Sequence, residues 1–409
     1  MTRQEWAWAS FDWANSAFPT VVSTFVIAAY VTRGLAPDPV TGQVWWGWTQ
    51  ALAGLGIGLL SPLLGAMADA GGRRRAFLAG FTGLTALFTA GIWFAQPGAE
   101  WALWALACVG LATLCFELGT VFYNAMLPEV APPERLGRVS GIGWALGYAG
   151  GLACLGLCLV LLVQPDPSPF GLDRARAEHV RATALLVAGW TLLFALPLLR
   201  HAPPEARGGD WRGGLRALGG VLRRLPGRPA LLRFLLARLL YTDGLNTLFA
   251  FGAVFAAGAF GMGFTEILLF GIALNVTGGI GALAGGFLEE RLGARETVLL
   301  SLVALMALGA AMLLVQDKAL FWVLGVALGL FFGPAQAASR SLMARMAPQG
   351  EVAAHFGLFA LSGRATSFLG PALLATVTAA TQSQRWGMAV VLALLGGGAL
   401  LLAAVRPSE

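Results

Sequence analysis

The sequence predicts an all-α membrane protein whose twelve transmembrane helices form two pseudo-symmetric six-helix halves. Composition, the length of the apolar runs and an internal repeat predict this class. Of the 409 residues, 57% are hydrophobic and 12% are charged, whereas soluble proteins carry about 25% charged residues. Lipid offers no partner to backbone polar groups, and the apolar runs are continuous rather than alternating. The spans are therefore predicted to be helices and not strands of a barrel.

Twelve apolar runs are each long enough to cross a bilayer, which takes about 20 residues. The predicted spans are 6–32, 44–68, 76–96, 100–127, 139–163, 181–199, 232–258, 265–288, 297–315, 319–343, 355–379 and 386–405. The short MTRQE segment before the first run predicts a permanent first helix rather than a cleaved signal peptide.

Basic residues are divided unequally between the two ends of these spans. With the N-terminus inside, 18 of the 27 Lys and Arg residues fall in cytoplasmic segments. This bias predicts that both termini are cytoplasmic. It also accounts for the net charge of +6, so no nucleic-acid partner is expected.

A basic segment at 200–231 is predicted to link an N-terminal six-helix bundle (1–199) to a C-terminal one (232–409). Within it, Leu215, Leu218 and Leu222 recur at helical spacing among arginines. An amphipathic helix lying on anionic lipid fits this pattern. A plain solvated linker fits it equally well, because the segment is rich in glycine.

The chain repeats itself. "DWANSAF" (12–18) and "DGLNTLF" (243–249) both fit Asp-x-x-Asn-(Ser/Thr)-x-Phe. A second pair of matching motifs ends the second and eighth spans: Gly65, Asp69, Gly72 and Arg73 in the first copy, and Gly286, Glu290, Gly293 and Arg295 in the second. Duplication of a six-helix unit explains both matches.

The Gly-x-x-x-Asp-x-x-Gly-Arg-Arg run at 65–74 resembles the loop signature of the major facilitator superfamily. The glycines of this motif permit a tight turn and close helix contact. Its acid is expected to cap or pair with a neighbouring helix end, and its arginines to hold the cytoplasmic face.

Four further stretches resemble the family of the fungal vacuolar amino-acid effluxer and its bacterial relatives: 12–18, 122–151, 336–348 and 356–371. The resemblance implies a monomeric secondary transporter in the bacterial inner membrane, in contact with lipids, that exports small polar solutes such as amino acids. Export of drugs, siderophores or lipids, and a transporter-like receptor without flux, remain open alternatives.

Ionisable residues inside the spans are expensive and therefore candidates for function. The candidates for substrate binding or coupling are Asp12, Asn15, Ser16, Glu117, Tyr123, Asn124, Asp243, Asn246, Gln336, Arg340 and Arg364. Three roles are open: the arginines hold a substrate carboxylate, an acid carries a coupling proton, or the charges pair to lock the cytoplasmic gate. Small neighbours make Arg364 the first choice for substrate contact. Arg238, at the start of its span, is expected to reach the cytoplasmic surface.

Enzyme and pump chemistry find little support in the sequence. No Gly-Lys-(Ser/Thr) phosphate loop occurs, so ATP-driven transport is not expected. His179, His201 and His355 are scattered, and the cysteines at 108, 115, 154 and 158 fit apolar packing. We expect no catalytic residues, no metal site and no cofactor.

Overall fold

The computed structural model describes residues 1–203 and 213–405. Within them, eleven helices are long and apolar enough to cross a membrane, and two shorter apolar helices replace the predicted eleventh span. We number the spans α1 to α12: Arg3–Leu35, Thr41–Gly71, Arg74–Phe94, Ala99–Val130, Pro133–Val163, Glu178–His201, Pro229–Phe260, Thr265–Leu292, Ala294–Leu314, Lys318–Met346, α11a Val352–Ser362 with α11b Leu369–Thr381, and Gln384–Ala403. The predicted all-α transmembrane fold is confirmed.

Because the number of crossings is even, α1 begins and α12 ends on the same side of the membrane, which we call the terminus side. Tight turns on this side join α2 to α3 and α8 to α9. Gly72 and Gly293 lie in these turns with backbone φ angles of 60° and 96°, which residues with a Cβ rarely adopt. The repeated glycines of the two motifs thus have the same backbone role.

The prediction of one continuous helix over 355–379 is wrong. The chain leaves the helix after Ser362 and resumes it at Leu369, with turn hydrogen bonds such as Ala365 N–H to Leu361 O (2.8 Å) between the two pieces. A break in a membrane helix exposes backbone groups that must find other partners. Side chains from α7 supply these partners, as described below.

Helix α1 also departs from regular geometry. It is α-helical over Arg3–Asn15 and π-helical over Phe18–Phe25. Pro19 has no N–H to donate and is incompatible with a regular α-helical turn around it. The wider helix therefore starts where the sequence places its proline, next to the polar residues Asn15 and Ser16.

A short helix, Gly214–Arg224, lies in the predicted linker. Its Val221 is 3% exposed, whereas Leu215 and Leu222 are 68% and 47% exposed. Arg224 forms an ion pair with Glu351, directly before α11a. Residues 204–212, including Arg207 and Arg212, and the C-terminal 406–409, including Arg406, lie outside the described part of the chain. The domain boundaries and the lipid-binding role of the linker stay predictions.

Buried apolar side chains form two clusters. One lies within the first six spans and includes Phe18, Val21 and Ile27 of α1. The other joins both groups of six spans on the terminus side, where Trp8 and Phe122 belong to the same cluster as Phe356. The two groups therefore share one apolar cluster, which within the second group extends to Phe255 and Phe321 on the far side, whereas the far half of α1 belongs to a separate cluster.

Candidate functional site

The most buried ion pair between the two groups of helices joins Arg340 of α10 to Asp12 of α1. The guanidinium Nη1 lies 2.9 Å from Asp12 Oδ2, and the two side chains are 4% and 15% exposed. Arg340 also donates from Nε to Ser140 Oγ (2.9 Å) and from Nη2 to the Ser140 carbonyl (2.7 Å) on α5. A charge withdrawn from water needs such a set of partners. Each of the three guanidinium nitrogens of Arg340 thus has a hydrogen-bond partner in this conformation.

Aromatic rings surround the same guanidinium. Its central carbon lies 4.7 Å from the Trp8 ring, 5.5 Å from Tyr123 and 5.7 Å from Trp144. Trp8 and Tyr123 are stacked with centroids 4.4 Å apart. Cation–π contacts of a desolvated arginine contribute about 2 kcal/mol. The arrangement holds Arg340 at the contact of α1, α4, α5 and α10.

A second ion pair between the two groups joins Arg364 to Glu117 of α4. Arg364 lies in the break between α11a and α11b. Its side chain is 36% exposed and that of Glu117 is 20% exposed, so this pair is more accessible than Arg340 and Asp12. The structure places Arg364 among the backbone turns of a broken helix, where movement needs no unwinding of a regular helix.

Two side chains of α7 bond to the ends of this break. Arg238 donates from Nη1 to the Phe359 carbonyl and, over 2.9 Å, to Ser362 Oγ, at the end of α11a. Asp243 accepts a 2.9 Å hydrogen bond from the Gly370 N–H, at the start of α11b. The expectation that Arg238 reaches the cytoplasmic surface is wrong, since it is 8% exposed. The polar groups of the break hold it inside the protein.

The first copy of the loop motif contacts the opposite group of helices. Asp69 accepts from Ala353 N–H (3.1 Å) and Ala354 N–H (2.8 Å), in the first turn of α11a, and pairs with Arg74 at 2.6 Å. A Cβ on Gly65 would lie 2.2 Å from the Ala353 carbonyl oxygen, so only glycine allows this approach. Arg73 is exposed.

The second copy makes a matching contact. Glu290 of α8 pairs with Arg138 of α5 at 2.5 Å, and a Cβ on Gly286 would lie 2.8 Å from the Gly137 carbonyl oxygen. Arg295 donates to the carbonyls of Leu402 and Ala403, at the end of α12. The α2–α11a and α8–α5 contacts are thus the two repeats of one arrangement on the terminus side. A gating role for these residues stays a prediction.

Four further polar candidates carry amide groups. Asn15 donates to Thr120 Oγ1 of α4 over 3.3 Å, and Asn124 is 8% exposed. Asn246 is exposed and Gln336 is half-buried. Whether any of them binds a substrate stays a prediction.

A cavity of about 430 Å³ lies in the half of the helices that is farther from the termini. Its wall includes the polar side chains of Ser16 and Asn275 and, from the π-helical stretch of α1, Pro19. Much of the rest is aromatic: Phe249, Phe270 and Phe332. Among the predicted site residues, Ser16 lines this cavity. Arg340 lies about two turns from the end of α10 on the terminus side, and Arg364 lies about three turns from the start of α11a. The two groups of helices are thus in contact on the terminus side and enclose a cavity on the far side.

Sequence reasoning missed several partners in this arrangement. Ser140 and Trp144 contact Arg340, and buried Glu289 accepts a 2.6 Å hydrogen bond from Ser341 Oγ and pairs with Arg345 at 3.3 Å. Glu289 adjoins Glu290 in the second motif, and a second acid at the end of an apolar span is a signal that could have identified it. A serine or a tryptophan in an apolar span is too ordinary to mark a site.

The sequence is similar to those of membrane transporters from bacteria and fungi. The family model described as "Vacuole effluxer Atg22 like" matches residues 47–408. The chain is 27% identical over 417 residues to the uncharacterized MFS-type transporter YxiO of Bacillus subtilis, covering 100% of this chain and 96% of YxiO. It is 25% identical over 271 residues to autophagy-related protein 22-1 of Emericella nidulans, where the match covers 59% of this chain and 45% of the fungal protein.

Solved structures with the same fold are membrane transporters. The major facilitator superfamily transporter FucP in the outward conformation superposes with a TM-score of 0.78 at 15% identity, covering 98% of both chains. The proton:xylose symporter XylE gives a TM-score of 0.74 at 14% identity, covering 99% of this chain and 95% of XylE. These similarities establish the fold.

Proposed function

Because the chain belongs to the vacuole effluxer Atg22-like family and has the fold of a major facilitator superfamily transporter, we propose that it moves amino acids across the membrane by alternating access. Its membership and fold make it an integral membrane transporter of small molecules. The proposal concerns the cargo, the direction and the coupling. The match to the fungal protein covers 45% of its length. A cargo shared with the fungal relatives is therefore part of the proposal.

The observation that carries the proposal is the Arg364–Glu117 ion pair at the break in α11. A zwitterionic amino acid presents a carboxylate and an ammonium group, which an arginine and a glutamate can hold. Both side chains are partly exposed, and each comes from a different group of six helices. Exchange of the internal ion pair for two ion pairs with a substrate would release the contact between the groups.

The terminus side is closed by contacts that would have to break in the alternate state. They are the ion pairs Arg340–Asp12 and Arg138–Glu290 and the hydrogen bonds of Asp69 to α11a. The cavity lies on the other side. Alternating access requires that, in any one state, the two groups of helices close the path on one side of the membrane and leave a cavity open on the other.

The lining of the cavity bears on the kind of cargo. Aromatic and aliphatic side chains dominate it, among them Phe249, Phe255, Phe321 and Leu248. Pockets of this kind favour apolar groups. Within the amino acids, those with large apolar side chains therefore fit best. The same lining favours the second candidate function, export of a larger apolar compound such as a drug or a lipid.

The remaining parts of the proposal follow from the charge distribution and the family. With both termini in the cytoplasm of a bacterial cell, the present conformation opens outward and corresponds to a state after export. We propose a monomer of two six-helix bundles, 1–199 and 232–409, joined by the linker, with proton coupling as the energy source.

Counterflow in proteoliposomes tests the cargo. Vesicles are loaded with unlabelled amino acids, and each labelled amino acid is offered outside. We expect a subset with apolar side chains to accumulate transiently, and we expect Arg364→Ala to abolish this accumulation at normal expression. Arg176→Ala is the matched control, because Arg176 is 65% exposed in a loop on the far side.

Two results would contradict the proposal. Failure of the folded wild-type protein to accumulate any amino acid would remove amino acids as cargo and favour the apolar-compound alternative. Unchanged counterflow by Arg364→Ala would remove Arg364 from substrate contact while leaving the cargo in place.

A further inference from the structure

Asp243 differs from the other acids buried near the contact of the two groups of helices. Asp12 pairs with Arg340 and Glu117 pairs with Arg364. Asp243 is 2% exposed, and the hydrogen bond that the structure gives its carboxylate comes from the Gly370 N–H. A buried carboxylate without a cation beside it is unfavourable by several kcal/mol. Asp243 is therefore the acid whose charge the protein compensates least.

The second carboxylate oxygen of Asp243 has no partner of its own. Asp243 Oδ1 and Thr247 Oγ1 are both buried without a hydrogen-bond partner among the described residues. Both lie beside Gly370, since a Cβ built there would be 2.0 Å from Thr247 Oγ1 and 3.2 Å from Asp243 Oδ1. A hydroxyl can donate to an ionised carboxylate, yet the Thr247 hydroxyl makes no such bond, so Oδ1 has no donor. An added proton would neutralise the charge that this buried oxygen otherwise carries without a partner.

The internal repeat provides a comparison inside the same molecule. Asp12 and Ser16 occupy the equivalent positions on α1, and a Cβ on Gly147 of α5 would lie 2.7 Å from Ser16 Oγ, much as Gly370 of α11b approaches Thr247. In the first copy the acid turns to Arg340 of the opposite group. In the second copy no arginine or lysine of residues 1–203 and 213–405 forms an ion pair with the acid. The two copies thus share the position of the acid and of the neighbouring glycine and differ in the cation beside the acid.

The charged side chains on the elements packed against this part of α7 are engaged elsewhere. Arg238, on α7 itself, donates to the end of α11a. The others have their own partners: Arg364 with Glu117, Arg340 with Asp12, Arg385 of α12 with the carbonyls of Leu313 and Val315, and Arg345 of α10 with Glu289 and the Pro133 carbonyl. His355 of α11a bonds to the Glu351 carbonyl.

We propose that Asp243 carries the coupling proton of this transporter, bound on Oδ1. The inference rests on the proposed transport function and names the site of its coupling. Proton binding leaves Oδ2 free to accept from Gly370, so the start of α11b stays attached to α7 in the neutral form. Loss of the proton creates an uncompensated charge at the break, beside the turn that holds Arg364. The broken helix thereby connects the proton site to the Arg364–Glu117 pair.

The test compares Asp243→Asn with Asp166→Asn in proteoliposomes. An asparagine at position 243 can accept from Gly370 and carries no charge, so it resembles the protonated acid permanently. Asp166 is the matched control, because it is 83% exposed in a loop on the far side. A pH difference of one unit can support about tenfold accumulation of a solute coupled to one proton. We expect this gradient response in the wild type, its loss in Asp243→Asn and its persistence in Asp166→Asn. A response to a Na⁺ gradient instead of a pH gradient would overturn the assignment of a proton.

A direct measurement covers the case in which a variant no longer transports. The infrared difference spectrum between two pH values that both lie above the range in which exposed Asp and Glu titrate should contain the C=O band of a protonated carboxyl group, and this band should be weaker in Asp243→Asn. An undiminished band in the variant would overturn the inference. A gradient response that survives in Asp243→Asn would do so as well. Absence of counterflow in the wild type, by contrast, would remove the proposed cargo while the infrared result still decides on Asp243.

Discussion

Arg238 and Asp243, both on α7, hold the opposite ends of one break in α11. Arg238 donates to the Phe359 carbonyl and to Ser362 Oγ at the end of α11a, and Asp243 accepts from the Gly370 N–H at the start of α11b. The Arg238 cation meets the partial negative charge of the C-terminus of α11a, and Asp243 Oδ2 accepts from a backbone N–H at the N-terminus of α11b. A discontinuous helix inside a membrane is stable because its free backbone groups are satisfied in this way.

Removal of Arg238 should therefore destabilise the protein. Arg238→Met keeps an apolar stem but removes the hydrogen bonds to the Phe359 carbonyl and to Ser362 Oγ, and loss of hydrogen bonds from a charged group costs about 1.5–3 kcal/mol. We expect a lower unfolding temperature in detergent, measured by intrinsic fluorescence. Arg233→Met on the same helix is the control, because Arg233 is exposed and donates over 3.3 Å to the Ala404 carbonyl. Equal unfolding temperatures of the two variants would count against this role.

The Arg340–Asp12 pair should set the balance between the two states of the transporter. Removing one partner of a buried ion pair costs about 3–5 kcal/mol, and in Asp12→Asn this cost falls on the conformation that is closed on the terminus side. Spin labels on Glu134→Cys and Gln349→Cys, both at exposed positions on that side, report the separation of the two groups. We expect longer distances to become populated in Asp12→Asn. An unchanged distance distribution would show that the pair does not hold the closure.

The two copies of the loop motif should differ in the cost of losing their acid. Asp69 is 5% exposed and satisfies two backbone N–H groups of α11a as well as Arg74. Glu290 is 19% exposed, and its partner Arg138 is 37% exposed. Buried donors left without a partner cost about 1–3 kcal/mol each, whereas an exposed pair contributes about 0–1 kcal/mol.

Asp69→Ala should accordingly lower the unfolding temperature more than Glu290→Ala, measured side by side in the same detergent. The reverse order would mean that the hydrogen bonds of Asp69 to α11a contribute less than the geometry indicates. Equal effects would point to the same conclusion.

A charge exchange separates the two roles open to Arg364. If Arg364 and Glu117 only lock the groups together, the double variant Arg364→Glu with Glu117→Arg should restore the transport that each single variant loses. If Arg364 holds the substrate carboxylate, the double variant should fold and still fail to transport. We expect the second result, with counterflow as the measurement and the unfolding temperature of the double variant as the control for folding. Restored transport would assign the pair to locking alone.

Much of the fold could be predicted from the sequence. The predicted spans agree with the observed helices to within a few residues at most ends, because span length is set by bilayer thickness and by local hydropathy. The glycine turns at Gly72 and Gly293 also followed from local conformational preference. The break in α11 could not be predicted this way, since "LSGRATSFLG" is apolar enough to continue a helix. The donors and acceptors that stabilise the break come from α7, more than 100 positions earlier.

The sequence by itself determined that this chain lies in a membrane, crosses it as helices and carries charges inside those helices. These properties depend on the free energy of each segment in lipid, which composition and periodicity report directly. Only the tertiary structure decided which charges meet. Asp12 and Asp243 occupy the same position in the repeated motif. Asp12 pairs with Arg340 from the opposite group of helices, whereas Asp243 accepts from the Gly370 N–H in its own group. The strength of an ionic interaction depends on distance and burial, and neither can be read from neighbours along the chain.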